Sequence, residues 1–336
     1  MPDIENHEVN LKRKTRVALL SALSNTALVI IKLVVGLLAG SVSIMSEAIH
    51  SGVDLLASAI ALFSVRTSSK PADDEHPFGH GKYENISGAV EAILIFFAAW
   101  WIVQEAVHKL LRPQPLELLG WGVLIMLVSS IINLGVSRVL MKVGKETDSI
   151  ALKADAWHHR TDVYTSAGVM VGLAVVWVGK IVFPKLSLSW VDPIVAIGVS
   201  LMIVKAAWNL TIESVRDLLD ASFPKEDEKW IRDYISKMPD VIRGFHGLRT
   251  RKAGSMRFIE FHLVFDENMT VGEAHRISHQ VGNAITDRFP GAVIISHTEP
   301  CDGSCRVSCE KGCMLAPEIR EKRRESYRLI HKGLSA

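Results

Sequence analysis

The sequence predicts an α-helical membrane protein with six transmembrane spans, followed by a small cytosolic α+β domain of order α-β-β-α-β. Three observations predict it. The first two thirds of the chain hold six long apolar stretches, each near the ~20 residues that a helix needs to cross a bilayer core. From about Ser222 onward the pattern changes to amphipathic helices and alternating strands. The mean hydropathy of +0.23 is high for an ordinary soluble protein, yet 22% charged residues require a substantial part outside lipid.

The spans follow in order. Val17–Leu38 and Val42–Val65 are separated only by Ala39-Gly40-Ser41, which predicts a tight helical hairpin. Ile86–Leu110 ends, and Leu116–Leu140 begins, at Arg112-Pro113-Gln114-Pro115. Ile150–Ile181 is divided from Val191–Ser214 by Pro184. The polar segment 1–14 has no cleavable signal pattern, so the first span is expected to stay as a membrane helix.

Basic residues set the orientation. Lys12, Arg13, Lys14 and Arg16 precede span one. Arg66, Lys70 and Lys82 lie between spans two and three, and Arg138, Lys142, Lys145 and Lys153 between spans four and five. The other side has Lys109, Arg112, Lys180 and Lys185. Both termini are therefore expected in the cytosol, which agrees with an even number of spans. A net charge of +2 is too small to indicate a nucleic-acid partner.

Beyond the membrane part, residues 15–220, a domain is expected over 221–300. Lys225–Met238 places Trp230, Ile231, Tyr234, Ile235 and Met238 at helical spacing. Val241–Thr250 and Arg257–Phe265 read as strands. In the second, Phe258, Glu260, His262 and Val264 alternate with Ile259, Phe261, Leu263 and Phe265. Val271–Phe289 reads as a helix and Ala292–His297 as a third strand. Helices on one face of a sheet would give this order a core. In the tail, 301–336, the charged stretch Pro317–Lys332 reads as a surface helix or a disordered end.

Two stretches carry the chemistry: His50-Ser51-Gly52-Val53-Asp54 and His158-His159-Arg160-Thr161-Asp162. Each sets His and Asp at i and i+4, on one helix face, within an apolar run. Two such helices facing each other would aim His50, Asp54, His158 and Asp162 at one point, a tetrahedral set suited to Zn²⁺. Ionisable groups in a membrane are functional candidates by default. A metal must displace protons from the imidazoles, so such a site can exchange Zn²⁺ for H⁺. Glu47, His159 and Glu91 are nearby polar candidates outside the ligand set.

Other clusters are visible. Asp73, His76 and His80 lie in a loop where Pro77 and Gly79 favour a turn. The C-terminal domain carries His246, His262, His275, His279, His297 and Glu299. All four cysteines, Cys301, Cys305, Cys309 and Cys313, recur every four residues. Pro300, Gly303 and Gly312 argue for coil there. In a cytosolic location, metal binding or free thiols are favoured over disulfides.

The chain resembles the cation diffusion facilitator family, with bacterial zinc/iron efflux members the nearest likeness, over almost its whole length to about Pro300. The resemblance rests on Gly40-Ser41-Val42-Ser43-Ile44, Pro71-Ala72-Asp73-Asp74 with Phe78-Gly79-His80-Gly81-Lys82, Ala154-Asp155-Ala156-Trp157-His158, Leu218-Leu219-Asp220 and Leu248-Arg249-Thr250-Arg251. It implies a homodimer in the bacterial inner membrane, with ferredoxin-like cytosolic domains and metal–proton exchange by alternating access. It implies a transport site of His50, Asp54, His158 and Asp162 and a loop site of Asp73, His76 and His80. It also implies a cytosolic site of His246, His262, His275, His297 and Glu299, holding two bridged ions at the dimer interface. Lys82 and Asp220 match a charge pair at the dimer hinge. Many bacterial members carry aspartate where His50 stands, and histidine favours Zn²⁺ over Mn²⁺. Glu299 replaces an aspartate, and the four-cysteine tail lies outside the family pattern.

These features predict a Zn²⁺/H⁺ antiporter that exports zinc. Competing readings are a transporter chiefly of Fe²⁺, Cd²⁺ or Mn²⁺, and a zinc-binding membrane sensor or scaffold. A membrane metalloenzyme is disfavoured, because the H-E-x-x-H pattern is absent.

Overall fold

The computed structural model describes the backbone of residues 2–39, 42–111, 120–182 and 190–332. Side chains within these helices are described except at 2–8, 36, 39, 42–50, 53, 109, 120–123, 125–126, 169–182, 191–192, 308 and 330–332. The chain divides into two units, Met1–Leu219 with Ala253–Ser255, and Asp220–Lys252 with Met256–Ala336.

The first unit contains α1 (Pro2–Ala39), α2 (Val42–Ser68), α3 (Lys82–Leu111), α4 (Gly120–Glu146), α5 (Ile150–Val182) and α6 (Val191–Leu218). Helix α1 starts at Pro2, well before Val17, where the apolar run begins. Proline suits the first helical position, and no Gly or further Pro interrupts the polar turns that follow, so solvated and apolar turns form one helix. Among the described residues, four stretches are long and apolar enough to cross a membrane: Val9–Val35, Lys82–His108, Leu127–Glu146 and Pro193–Leu218. Parts of α2 and α5 lie outside the described side chains.

This unit is inverted relative to a water-soluble bundle. Leu23, Ile30, Ile93, Phe97, Trp101, Ile131 and Leu201 face outward, as hydrocarbon permits and water does not. Ser21, Asn25, Asp54, Ser58, Asn133, Asp155, His158 and His159 are buried. Helices pack α1 on α2, α4 on α5 and α3 on α6, and α5 also meets α2, α3 and α6. Lipid-embedded helices associate through close packing of small residues. A Cβ at Gly88 would lie 2.6 Å from Ile150 Cγ2 and 2.7 Å from Ser214 Oγ, so glycine allows α3 to approach α5 and α6. Ala92, Ala99, Ala154 and Ala207 continue that seam.

Glu84 joins several elements at one end of these helices. Its side chain is fully buried. One oxygen accepts from Lys14 Nζ at 2.7 Å and Ser68 Oγ at 3.0 Å, and the other from Ser149 Oγ at 2.5 Å. A buried carboxylate is tolerated only when its lone pairs are taken up in this way.

The second unit contains α7 (Lys225–Ile235), β1 (Gly244–Ala253), β2 (Met256–Phe265), α8 (Val271–Arg288), β3 (Val293–Pro300), α9 (Val307–Lys311) and α10 (Pro317–Lys332). The sheet order is β1-β2-β3, and β2 and β3 are parallel, with Phe258 opposite Val293 and Phe265 opposite Pro300. Strand β1 runs over 244–253, not 241–250. The amides of Val241 and Ile242 donate to the Met238 carbonyl and complete the turn after α7, so they are unavailable to the sheet. The strand continues to Ala253 because the turn falls at Gly254, whose φ of 58° suits glycine. The cysteine segment is not wholly coil, since α9 lies within it, and 317–332 is a helix.

The alternation on β2 separates two faces. Ile259, Phe261, Leu263 and Phe265 pack with Ile231 and Ile235 of α7 and with Ala274, Val281 and Ile285 of α8. His262 faces the other way. Helix α8 starts with a capping box: Glu273 N–H donates to Thr270 Oγ1 at 3.3 Å, and Thr270 N–H donates to Glu273 Oε2 at 3.2 Å. Removing such a cap costs about 1 kcal/mol. Thr270→Ala is therefore expected to speed amide hydrogen exchange in the first turn of α8 and to leave β2 protected. Mass-resolved exchange on the whole protein checks this.

Candidate metal centres

The two His-x₃-Asp stretches fall on α2 and α5, which touch each other. Helical spacing puts Asp54 one turn after His50, and Asp162 one turn after His158. The side chain of His50 lies outside the described residues. The other three meet: donor atoms of Asp54, His158 and Asp162 all lie within 4.8 Å of one another. His158 Nε2 is 3.0 Å from Asp54 Oδ1. Both side chains are buried, at 6% and 5% exposure. His158 Nδ1 is buried without a hydrogen-bond partner among the described residues. In a tetrahedral zinc site the ~2.0–2.1 Å bonds set ligand atoms about 3.3 Å apart, a spacing close to that of His158 and Asp54.

Further polar groups surround these three side chains. Asn133 of α4 donates from Nδ2 to Asp162 Oδ2 at 3.3 Å, and its Oδ1 lies 3.2 Å from His159 Nδ1. His159 Nε2 is 2.8 Å from Ser21 Oγ of α1. Ser21 bonds Ser58, which donates to Asp155 Oδ1 at 3.1 Å. Asn25 donates to Ser58 Oγ and to the Asp54 carbonyl oxygen. His159 thus points away from the ligand cluster into this network. Sequence reading overlooked Asn133, Asn25, Ser21 and Ser58. Their only signal is a small polar residue within an apolar run. Glu91 of α3 is fully buried, and Ser87 Oγ donates to it at 3.4 Å. Glu47, like His50, has no described side chain.

The loop between α2 and α3 brings Asp73, His76 and His80 within 4.8 Å. His76 N–H donates to Asp73 Oδ1 at 2.7 Å, His76 Nδ1 is 3.3 Å from the same oxygen, and His80 Nε2 is 3.3 Å from Oδ2. The imidazoles lie 4.4 Å apart between ring centroids. Gly79, at φ 80°, supplies the left-handed turn between them. The His76 backbone N–H holds the Asp73 carboxyl below the usual carboxylate range, and both histidines add to this.

On the face of the sheet opposite its core, His246 of β1, His262 of β2 and Glu299 of β3 converge within 4.8 Å. Each Glu299 oxygen meets a different ring: Oε1 lies 2.7 Å from His262 Nδ1, and Oε2 lies 3.1 Å from His246 Nε2. Burial raises the Glu299 carboxyl, but the His262 hydrogen bond and His246 outweigh it and hold it below its ordinary value. His297, opposite His262 in register, is largely exposed and lies 3.7 Å from Glu299 Oε1. His275 is not brought into this group. It lies on α8, in the helix layer across the sheet, and pairs with His279 at 4.5 Å between ring centroids. Lys82 donates to the Leu218 carbonyl oxygen at 3.3 Å, and Asp220, at φ 55°, pairs with Arg251 at 3.4 Å.

An apolar-coated helical unit with buried metal-type ligands, joined to a small sheet domain carrying another such group, defines a membrane protein that handles cations. Sequence comparison agrees. The cation efflux transmembrane domain matches residues 18–219, and the cation efflux protein cytoplasmic domain matches 223–301. The chain belongs to the cation diffusion facilitator family of cation efflux transporters. It is 35% identical to the cation-efflux pump FieF of Klebsiella pneumoniae subsp. pneumoniae over 288 residues, which cover 85% of this chain and 92% of that one. It is 36% identical to FieF of Yersinia pestis, covering 84% and 92%. The uncharacterized transporter sll1263 of Synechocystis is 35% identical, covering 78% and 83%. A solved structure of CzrB in its zinc form is 34% identical, covering 25% of this chain and 96% of that one, with a TM-score of 0.24.

The depressed Asp73 carboxyl makes a pH prediction. The Asp73 carboxyl is expected to titrate below an ordinary aspartate, because the His76 backbone N–H stabilises its ionised form. An NMR titration of the Asp73 carboxyl carbon checks this, and a midpoint at or above the ordinary ~3.9 counts against it.

Proposed function

We propose that this protein is a proton-coupled Zn²⁺ exporter that carries zinc out of the bacterial cytosol by alternating access. The observation that carries the reading is the meeting of Asp54, His158 and Asp162, from two helices, inside the helical unit. His50, one helical turn from Asp54, completes the set as a fourth ligand. Zinc enters from the cytosolic side, the helices rock, and protons on His50 and His158 replace the ion at the outer face. Imidazole changes charge between about pH 5 and 8, so a pH gradient can drive the exchange.

Six spans, α1 to α6, cross the inner membrane in this reading, with both termini in the cytosol. The excess of Lys and Arg ahead of α1 and in the α2–α3 and α4–α5 connections supports that orientation. Residues 221–300 form a ferredoxin-like domain, 15–220 the membrane domain and 301–336 a tail. The protein acts as a homodimer, with Lys82 and Asp220 as a charge pair at its hinge. His246, His262, His297 and Glu299 hold zinc that favours the transporting arrangement by binding it more tightly than the alternative. The loop group Asp73, His76 and His80 binds a further ion.

The choice of zinc rests on imidazole. Two histidines and two aspartates are softer and less charged than one histidine and three aspartates, which favours Zn²⁺ over Mn²⁺. Transport chiefly of Fe²⁺ or Cd²⁺, and zinc binding without transport, are the readings that the test must separate.

Flux into proteoliposomes under an imposed pH gradient separates them. Wild type is expected to move Zn²⁺, and Asp54→Ala to fall to the level of protein-free vesicles. Equal flux in the two, or no zinc flux in wild type, would sink the antiport reading. His50→Asp is expected to raise Mn²⁺ flux relative to Zn²⁺ by tenfold or more, about 1.4 kcal/mol in relative transition-state binding. An unchanged ion ratio rejects the argument from ligand softness.

A further inference from the structure

Asn133 and His159 lie beside the candidate ion site and outside its ligand set. Asn133 of α4 is 6% exposed, and His159 of α5 is fully buried. The face of α4 that carries Asn133 is pinned to α5. One turn further on, Ser137 Oγ donates to the Ala156 carbonyl oxygen at 2.8 Å and accepts from Arg160 Nε at 3.1 Å. Val136 and Leu140 pack in one cluster with Ala156. Asn133 therefore meets α5 at a fixed height.

The Asn133 amide has two ends, and both are committed. Nδ2 donates to Asp162 Oδ2 at 3.3 Å, and Oδ1 lies 3.2 Å from His159 Nδ1. Turned over, the amide would set its carbonyl oxygen against a carboxylate, two acceptors facing each other. With the amide as it stands, His159 Nδ1 is the donor to Oδ1. His159 is held in turn, because its Nε2 lies 2.8 Å from Ser21 Oγ of α1. Three helices thus set the orientation of one amide, and that amide holds one oxygen of Asp162.

We infer that Asn133, with its amide fixed by His159, is a positioning residue that keeps the Asp162 carboxylate to one-oxygen binding and so selects against large divalent ions. The inference rests on the reading of Asp54, His158 and Asp162 as the ion site. Partners of this kind orient metal ligands, and their loss typically costs roughly 10–100-fold in metal affinity. To give both oxygens to an ion, Asp162 must turn and pull Oδ2 away from Nδ2. One-oxygen binding suits four-coordinate Zn²⁺. Carboxylates that give both oxygens suit larger ions with more ligands. Cd²⁺, larger than Zn²⁺, is the probe for this difference.

The test uses the full-length protein, in proteoliposomes for flux and in detergent for binding. Asn133→Leu keeps close to the side-chain volume and removes both polar ends. It is expected to raise KM for Zn²⁺ by about tenfold or more, with a smaller change in kcat, and to lower the Zn²⁺/Cd²⁺ flux ratio severalfold. His159→Leu should move both in the same direction. It should add little in the Asn133→Leu background, since it acts through that amide, and a double-mutant cycle reads this. A role in packing alone predicts otherwise: Asn133→Ala impaired, Asn133→Leu near wild type, and the ion ratio unmoved in both. Wild-type KM and ion ratio in Asn133→Leu, or independent effects of the two substitutions, would overturn the inference. If Asn133→Leu does not fold, Asn133→Ser and His159→Leu carry the ion-ratio test. Binding of Zn²⁺ and Cd²⁺ in detergent, counted as the part lost in Asp54→Ala, repeats the ratio without flux. A lowered binding ratio in Asn133→Leu, with no zinc flux in wild type, sinks the transport reading and supports this one. An unchanged ratio in binding and in flux sinks this one alone.

Discussion

A carboxylate and an imidazole, Asp54 and His158, lie 3.0 Å apart inside an apolar-coated helical unit, and much of that unit is arranged around them. Ionisable groups among lipid-facing helices are tolerated only when partners surround them. Around that pair, Ser21 of α1, Ser58 of α2 and Asn133 of α4 bond His159, Asp155 and Asp162 of α5, and Asn25 of α1 bonds Ser58 and the Asp54 carbonyl oxygen of α2. Each of these bonds ties one helix to its neighbour. The pairing of α4 with α5 and of α1 with α2 therefore serves the polar interior as well as the apolar seams. Glu84 repeats the principle at the end of the unit, where Lys14, Ser68 and Ser149 converge on one carboxylate.

The second unit solves a different problem with the same economy of parts. Its three strands provide a core on one face and a cluster of His246, His262 and Glu299 on the other. Alternation in β2 keeps the two apart, with Phe261 and Leu263 inward and His262 outward. Glu299 then organises that face by giving one oxygen to each of two histidines. In the tail, the chain returns along β1 and sets α10 over the loop that carries the thiols.

Much of this architecture was legible in the residues. The six long helices follow from apolar runs bounded by Gly40, the Pro113/Pro115 pair and Pro184, and the alternation of 258–265 identified both β2 and its core face. Helix ends were less legible. Val17 marks where apolar character begins, but backbone continuity carries α1 back to Pro2, and polarity alone does not stop a helix. Strand β1 was displaced because the turn after α7 consumes the amides of Val241 and Ile242, a demand invisible to side-chain pattern. Among site residues, i and i+4 spacing identified the two aspartates and His158 as sharing a target. That spacing says nothing of Asn133 or Ser21, whose roles depend on which helix faces which. His275 shows the converse limit: its chemistry suits the histidine group, yet its helix packs on the core side of the sheet.

The two-faced character of β2 has a consequence for how this protein can change over generations. Positions 258, 260 and 262 alternate with the residues that fill the core, so a side chain on the outer face can be exchanged without emptying or overfilling the interior. Glu299, on the neighbouring strand, meets His262 and His246 on that same outer face and takes no part in the core. The set of side chains that meet on this face can thus change by single steps, while the packing beneath it stays constant.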